Sequence, residues 1–265
     1  MKLACVDVIT PGQNLNEKFE NLEKFGFEGI EIWLMEGEDL KAKAKEINET
    51  AASSRIKPCS VTVAGPASVG PLDSEEAAKA RGQLIKDSLS IAADINAVTF
   101  HAIEEEPRSA PAIFEAPKPN EFERKLLIDL VRDVGKYAED VGAILTLEPV
   151  NRYETHFFNT LDEAINICKE AGMSNVKIMA DTCEMNIEER TITDSIERAG
   201  DYVYHVHLAD NNRLLPSFGH IDFKSIFDSL KKIRYKRYMA LECAVPGKPE
   251  EELLKCAKYL KKCML

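Results

Sequence analysis

Eight short apolar runs, each followed by a longer amphipathic or charged stretch, recur along the chain, and a chain patterned this way has few folds open to it. The runs are LACVDVI (residues 3–9), GIEIW (29–33), IKPCSVTVA (56–64), AVTFHA (97–102), AILTLEPV (143–150), VKIMADT (176–182), YVYHVHLA (202–209) and YMALECAV (238–245). Between them, segments 15–25, 39–54, 75–95, 125–141, 160–172, 222–233 and 250–263 place apolar residues three and four apart, as helices with one buried stripe do. Thr160, with Glu163 three residues on, and Asp222 stand where helix caps belong. Eight strand–helix units in 265 residues match a single (β/α)8 barrel domain over 1–265. The other candidate, an open doubly wound sheet, would want a GxGxxG after the first strand, and none is there.

Charge and cysteine usage narrow the partners. A formal net charge of -11 opposes binding to a polyphosphate backbone, so a small neutral molecule is a better partner than nucleic acid. Seven cysteines form an odd set without a CxxC pair, which points away from disulfide frameworks and zinc ribbons and toward a cytoplasmic protein. No apolar run reaches the about 18 residues a membrane helix needs. The proline-broken segment 104–123 reads as a long loop after the fourth strand, at the end of a barrel where a lid over the site would sit.

Four polar residues close four consecutive strands: Glu148 the fifth, Asp181 the sixth, His207 the seventh and Glu242 the eighth. In a closed barrel the C-terminal ends of neighbouring strands adjoin, so these side chains converge if each points inward. Three carboxylates meeting one imidazole repel one another unless a cation sits between them, which predicts one divalent metal. Oxygen-rich ligation with a single nitrogen suits Mn²⁺, with Co²⁺ or Mg²⁺ as alternatives. Taken singly, each residue could equally be a helix cap or a surface charge. His205 is expected to be a packed, hydrogen-bonded core histidine, His101 to line the pocket without touching metal, and Cys183 and Cys243 to be packing residues, with Cys243 turned away from the side Glu242 faces.

The stretches LEPVNRYETHFFNT (147–160), ADTCEMNIEE (180–189), HVHLADNNRLLPSFGHIDF (205–223) and ALEC (240–243) resemble xylose isomerase-like TIM barrels, and among them the D-tagatose and D-psicose (allulose) 3-epimerases. The resemblance implies that Glu148, Asp181, His207 and Glu242 bind one metal, that Glu148 and Glu242 double as a proton-transfer pair about a cis-enediolate, and that Glu154 and Arg213 hydrogen-bond a sugar. It implies a homodimer or homotetramer as well. Two departures stand out: Glu184 replaces a histidine usual in those epimerases, and the loop after Arg213 reads LLPSFGHID where a second glycine is common. Exchanging imidazole for carboxylate changes both charge and donor capacity.

Read from the residues alone, Glu154 could be a solvated loop charge, Arg213 a surface ion pair with Asp210, and Trp33, the single tryptophan, either a sugar platform or core packing. Rival activities on the same barrel are an inosose isomerase or dehydratase and an enzyme of 3-oxo-glycosides. More distant are an endonuclease IV-like hydrolase, which needs more histidines than the five present, and a non-catalytic sugar-binding barrel.

Overall fold

The computed structural model describes residues 1–68, 70–104 and 118–265. Among them, eight strands form one parallel sheet in the order β3-β2-β1-β8-β7-β6-β5-β4. They are β1 Lys2–Val6, β2 Gly29–Met35, β3 Lys57–Ala64, β4 Thr99–Ala102, β5 Leu145–Glu148, β6 Val176–Asp181, β7 Val203–Leu208 and β8 Tyr238–Leu241. A parallel bridge between Ser60 and Val98, with Val61 N–H donating to Val98 O at 2.9 Å, brings the two ends of the sheet together and closes the barrel. The molecule is a (β/α)8 barrel.

The helices are α1 Leu15–Phe25, α2 Leu40–Ala52, α3 Glu75–Ile95, α4 Glu121–Val141, α5 Leu161–Ala171, α6 Thr182–Glu188, α7 Ile192–Ala199, α8 Phe223–Lys232 and α9 Pro249–Cys263. Local chemistry sets their ends. Thr160 and Glu163 form a capping box at α5, with Glu163 N–H donating to Thr160 Oγ1 at 3.3 Å and Thr160 N–H to Glu163 Oε2 at 3.2 Å. Gly142 and Gly172 end α4 and α5 at a left-handed φ of 74°, which spares a side chain the clash it would meet there. The inward stripes of these helices pack with the strands in one continuous core that runs from Leu3 to Leu260.

Three local expectations change. The crossover from β6 to β7 carries two helices, α6 and α7, of seven and eight residues, where the sequence reading placed none; each is too short to display the repeated apolar spacing of a long helix. The first strand stops at Val6 and turns through a 3-10 segment, Asp7–Ile9, because the Asp7 carboxylate accepts from Trp33 N–H and Lys18 Nζ and bends the chain toward β2. The expected lid lies mostly at residues 105–117, outside the described residues, while its last three residues open α4.

Removing one cap tests the local assignment. Thr160→Ala deletes the acceptor for Glu163 N–H and is expected to lower unfolding free energy by about 1 kcal/mol in urea titration, with barrel secondary structure retained.

Candidate metal centre

At the C-terminal end of the barrel, four consecutive strands deliver acidic and imidazole groups to one buried point. Glu148 is the last residue of β5, Asp181 the last of β6, and His207 the penultimate residue of β7. Glu242 falls one residue beyond β8, its N–H still reaching Leu208 O. His207 Nδ1 lies 3.6 Å from Glu148 Oε1, 3.8 Å from Asp181 Oδ2 and 3.8 Å from Glu242 Oε2. The ligand atoms of Glu148, Asp181 and His207 lie within 4.8 Å of one another, a grouping that could hold a metal ion, and Glu242 borders it from the β8 side.

Hydrogen bonds leave this point open for a cation. His207 Nδ1 and Glu242 Oε2 are buried with no hydrogen-bond partner, a costly state for polar atoms and the one a metal would relieve. Burial pushes Glu148 up to about 8, and Glu242 and Asp181 beside it add to the rise. Burial likewise pushes Glu242 up to about 7, with Asp181 adding. Burial opposes a charge on His207, yet Glu31 and Glu148 outweigh it and hold its pKa well above the ordinary imidazole value. Glu148 and Glu242 therefore resist being charged together, and a divalent cation is the physical complement of the set.

Asp181 divides its two oxygens between structure and site. Oδ1 caps α6 by accepting Cys183 N–H at 2.7 Å and Glu184 N–H at 3.0 Å, while Oδ2 faces His207 and accepts Arg213 Nη1 at 3.0 Å. Arg213 also lies against Glu184 Oε1 at 3.0 Å and Glu242 Oε2 at 3.4 Å. Glu184, buried on α6, accepts both N–H and Nδ2 of Asn151, and Asn151 Nδ2 also donates to Glu154 Oε1 at 2.8 Å. Burial pushes Glu184 up to about 7, with Asp181 adding to the rise and Arg213 opposing it. Glu184 thus gives Arg213 and Asn151 a shared carboxylate acceptor.

Trp33 sits two residues before the end of β2, half-buried, and borders a cavity of about 230 Å³ with Val8, Ile9, Arg213 and Glu242. Cys243 touches the edge of the same cavity but packs, like Leu241 two residues before it, in the core shared with Cys256 of α9, turned from the side Glu242 faces. It and Cys183 are buried among apolar side chains, and burial raises both thiols well above their ordinary value. His205 is a hydrogen-bonded core histidine. His101 does not line the site: Phe100 packs edge-on against His207 at 4.9 Å, so alternation along β4 sends His101 to the opposite face, where burial and Arg81 push it down to about 3.

Two residues of the centre escaped the sequence reading. Glu31 lies in β2 with its carboxylate against His205 Nε2 at 2.8 Å and His207 Nε2 at 3.1 Å. A carboxylate inside an otherwise apolar strand was its visible signal. Asp210 is wholly buried and organises the loop that presents Arg213: Oδ1 accepts the N–H of Asn211 and Ile221, and Oδ2 those of Ser217 and Gly219, all within 3.1 Å. Arg213 therefore has no ion pair with Asp210, and its own backbone is held at a left-handed φ of 59° by Ala244 N–H donating to its carbonyl at 2.8 Å.

A closed parallel barrel with an acidic and imidazole cluster at the C-terminal ends of its strands defines a TIM-barrel enzyme site. The chain belongs to the xylose isomerase-like TIM barrel family, whose profile matches residues 19–263. It is 28% identical over 243 residues to the 3-dehydro-D-guloside 4-epimerase of Escherichia coli, covering 87% of each chain. It is 38% identical over 132 residues to the D-psicose 3-epimerase of Enterocloster bolteae, a match that spans 50% of this chain and 44% of that protein. The crystal structure of a 3-keto-D-glucoside 4-epimerase from E. coli superposes with a TM-score of 0.88 at 25% identity, covering 99% of this chain and 100% of that one. These relatives are named epimerases, which are carbohydrate isomerases.

Asp210→Asn tests the loop. Whichever way the amide turns, two backbone N–H groups would face its NH₂, so a loss of about 3 kcal/mol in unfolding free energy is expected from denaturant titration.

Proposed function

We propose that this chain is a metal-dependent carbohydrate epimerase that inverts a hydroxyl-bearing carbon beside a ketone, with a ketose epimerised at C3 as its substrate. The observation that carries the reading is the pair of buried atoms without a hydrogen-bond partner, His207 Nδ1 and Glu242 Oε2, beside Glu148 and Asp181 at the mouth of the barrel. Glu148, Asp181, His207 and Glu242 would hold the ion, and three oxygen donors with one nitrogen favour Mn²⁺, then Co²⁺ or Mg²⁺. Bound there, the ion supplies Lewis-acid stabilisation of negative charge on the ketone oxygen.

The remaining chemistry belongs to side chains. Inversion needs a proton taken from one face of the carbon beside the ketone and returned to the other face of the planar enediolate. Glu148 and Glu242 stand at opposite ends of the four-strand arc β5-β6-β7-β8 and flank the centre, so one can accept the proton while the other donates. Arg213, lying beside both the centre and the cavity, can donate to the oxygen that becomes anionic. Trp33 offers a flat face to the sugar, and Glu154 and Glu184, tied together through Asn151, can accept its hydroxyls.

A second reading keeps the site and changes the sugar: inversion at C4 of a 3-keto-glycoside, the same α-hydroxyketone chemistry one carbon along the ring. Two observations favour it. The relative and the solved structure named for such reactions match 87% and 99% of this chain, the latter with a TM-score of 0.88. Glu184 also gives the pocket a carboxylate where the ketose epimerases usually carry histidine.

With Mn²⁺ added, the chain is expected to interconvert D-fructose and D-psicose, or to invert C4 of a 3-keto-glucoside, with solvent deuterium entering at the inverted carbon. Glu148→Gln and Glu242→Gln are each expected to lower both epimerisation and deuterium exchange by about 10³-fold. Full activity in either variant contradicts the two-base scheme, and turnover of one substrate class alone decides between the two sugars.

A further inference from the structure

Glu31 is a charged residue buried in the middle of a strand, and the polar atoms its carboxylate meets are all ring nitrogens. His205 Nε2 lies 2.8 Å from Oε2, His207 Nε2 lies 3.1 Å from both oxygens, and Trp33 Nε1 donates to Oε1 at 3.1 Å. An ionised carboxylate only accepts, so each of the two imidazoles turns a protonated Nε2 toward it. For His207 that leaves Nδ1, the atom without a hydrogen-bond partner 3.6 Å from Glu148, as the nitrogen that carries the lone pair when the ring is neutral, as a metal-bound imidazole is. Glu31, His205 and His207 could also be grouped as metal ligands, but their contacts are hydrogen-bond lengths and none of the nitrogens facing Glu31 lacks a partner.

We propose that Glu31 is a positioning residue that sets two parts of the site at once, the cation-facing nitrogen of His207 and the tilt of the Trp33 indole over the sugar cavity. The inference rests on the metal-centre reading given above. Metal-binding histidines are commonly oriented by a carboxylate on their second nitrogen. Here the same carboxylate holds the indole, so cation affinity and the shape of the sugar platform share one anchor. The two imidazoles in return hold the Glu31 carboxyl well below the usual range, against the burial that would raise it.

Glutamine cannot replace Glu31 in this role. Its amide has one acceptor oxygen and one NH₂, so three N–H donors cannot all be served. If the NH₂ faces His207, the ring must carry its proton on Nδ1, where the cation would bind.

The test is Glu31→Gln, with Mn²⁺ affinity measured from the free-ion EPR signal and with the emission of Trp33, the single tryptophan, read in the metal-free chain. Affinity is expected to fall by about ten to a hundredfold. The emission maximum is expected to move to shorter wavelength, because the negative charge beside the pyrrole edge, which stabilises the excited indole, is gone. A folded variant that keeps wild-type Mn²⁺ affinity, or whose emission does not move, overturns the proposal while leaving the metal centre standing. A wild-type chain that binds no Mn²⁺ overturns both. Should the variant fail to fold, ¹⁵N-histidine spectra of the Mg²⁺-loaded wild-type chain decide instead: a proton on His207 Nε2 supports the assignment, and an unprotonated Nε2 overturns it.

Discussion

Three carboxylates and an imidazole share one buried point, and the rest of the structure can be understood as the means of holding that unfavourable arrangement in place. Like charges at this spacing in a low-dielectric interior repel strongly, and burial raises the cost further. Arg213 offsets part of it by leaning on Asp181, Glu184 and Glu242 from the loop after β7. His207 Nδ1 and Glu242 Oε2, which have no hydrogen-bond partner, are the atoms that a bound cation would satisfy.

Rigidity at this point comes from backbone more than from side-chain packing. Consecutive parallel strands β5 to β8 fix the order in which the groups arrive, and each group stands at or next to a strand end. Asp181 cannot swing away, because half of its carboxylate caps α6. Arg213 cannot drift far either, since Asp210 ties four N–H groups of its loop and Ala244 ties its carbonyl. Preorganised charge of this kind costs stability in the folded chain and spares reorganisation when charge develops in a reaction.

Residues whose role shows in periodicity or in position along a strand were legible from the sequence. The eight strands, the barrel they close, the α5 capping box and the convergence of Glu148, Asp181, His207 and Glu242 all follow from patterns repeated once per strand–helix unit. What stayed hidden depends on single tertiary contacts. Glu31 looked like one charge in an apolar strand until β2 and β7 faced each other across the barrel. Asp210 showed in the sequence only as an alternative partner for Arg213, because its four backbone donors lie one to eleven residues further on, in a loop without periodicity. His101 was given the pocket because it ends a strand, although Phe100 takes the inward position. The helices α6 and α7 were missed because neither is long enough to repeat its own pattern.

Anomalous X-ray diffraction at the manganese edge, from crystals grown with Mn²⁺, bears most directly on the central claim. One peak per chain is expected, bounded by Glu148, Asp181, His207 Nδ1 and Glu242. A map with no peak there, or with its peak among Glu31, His205 and His207 instead, contradicts it.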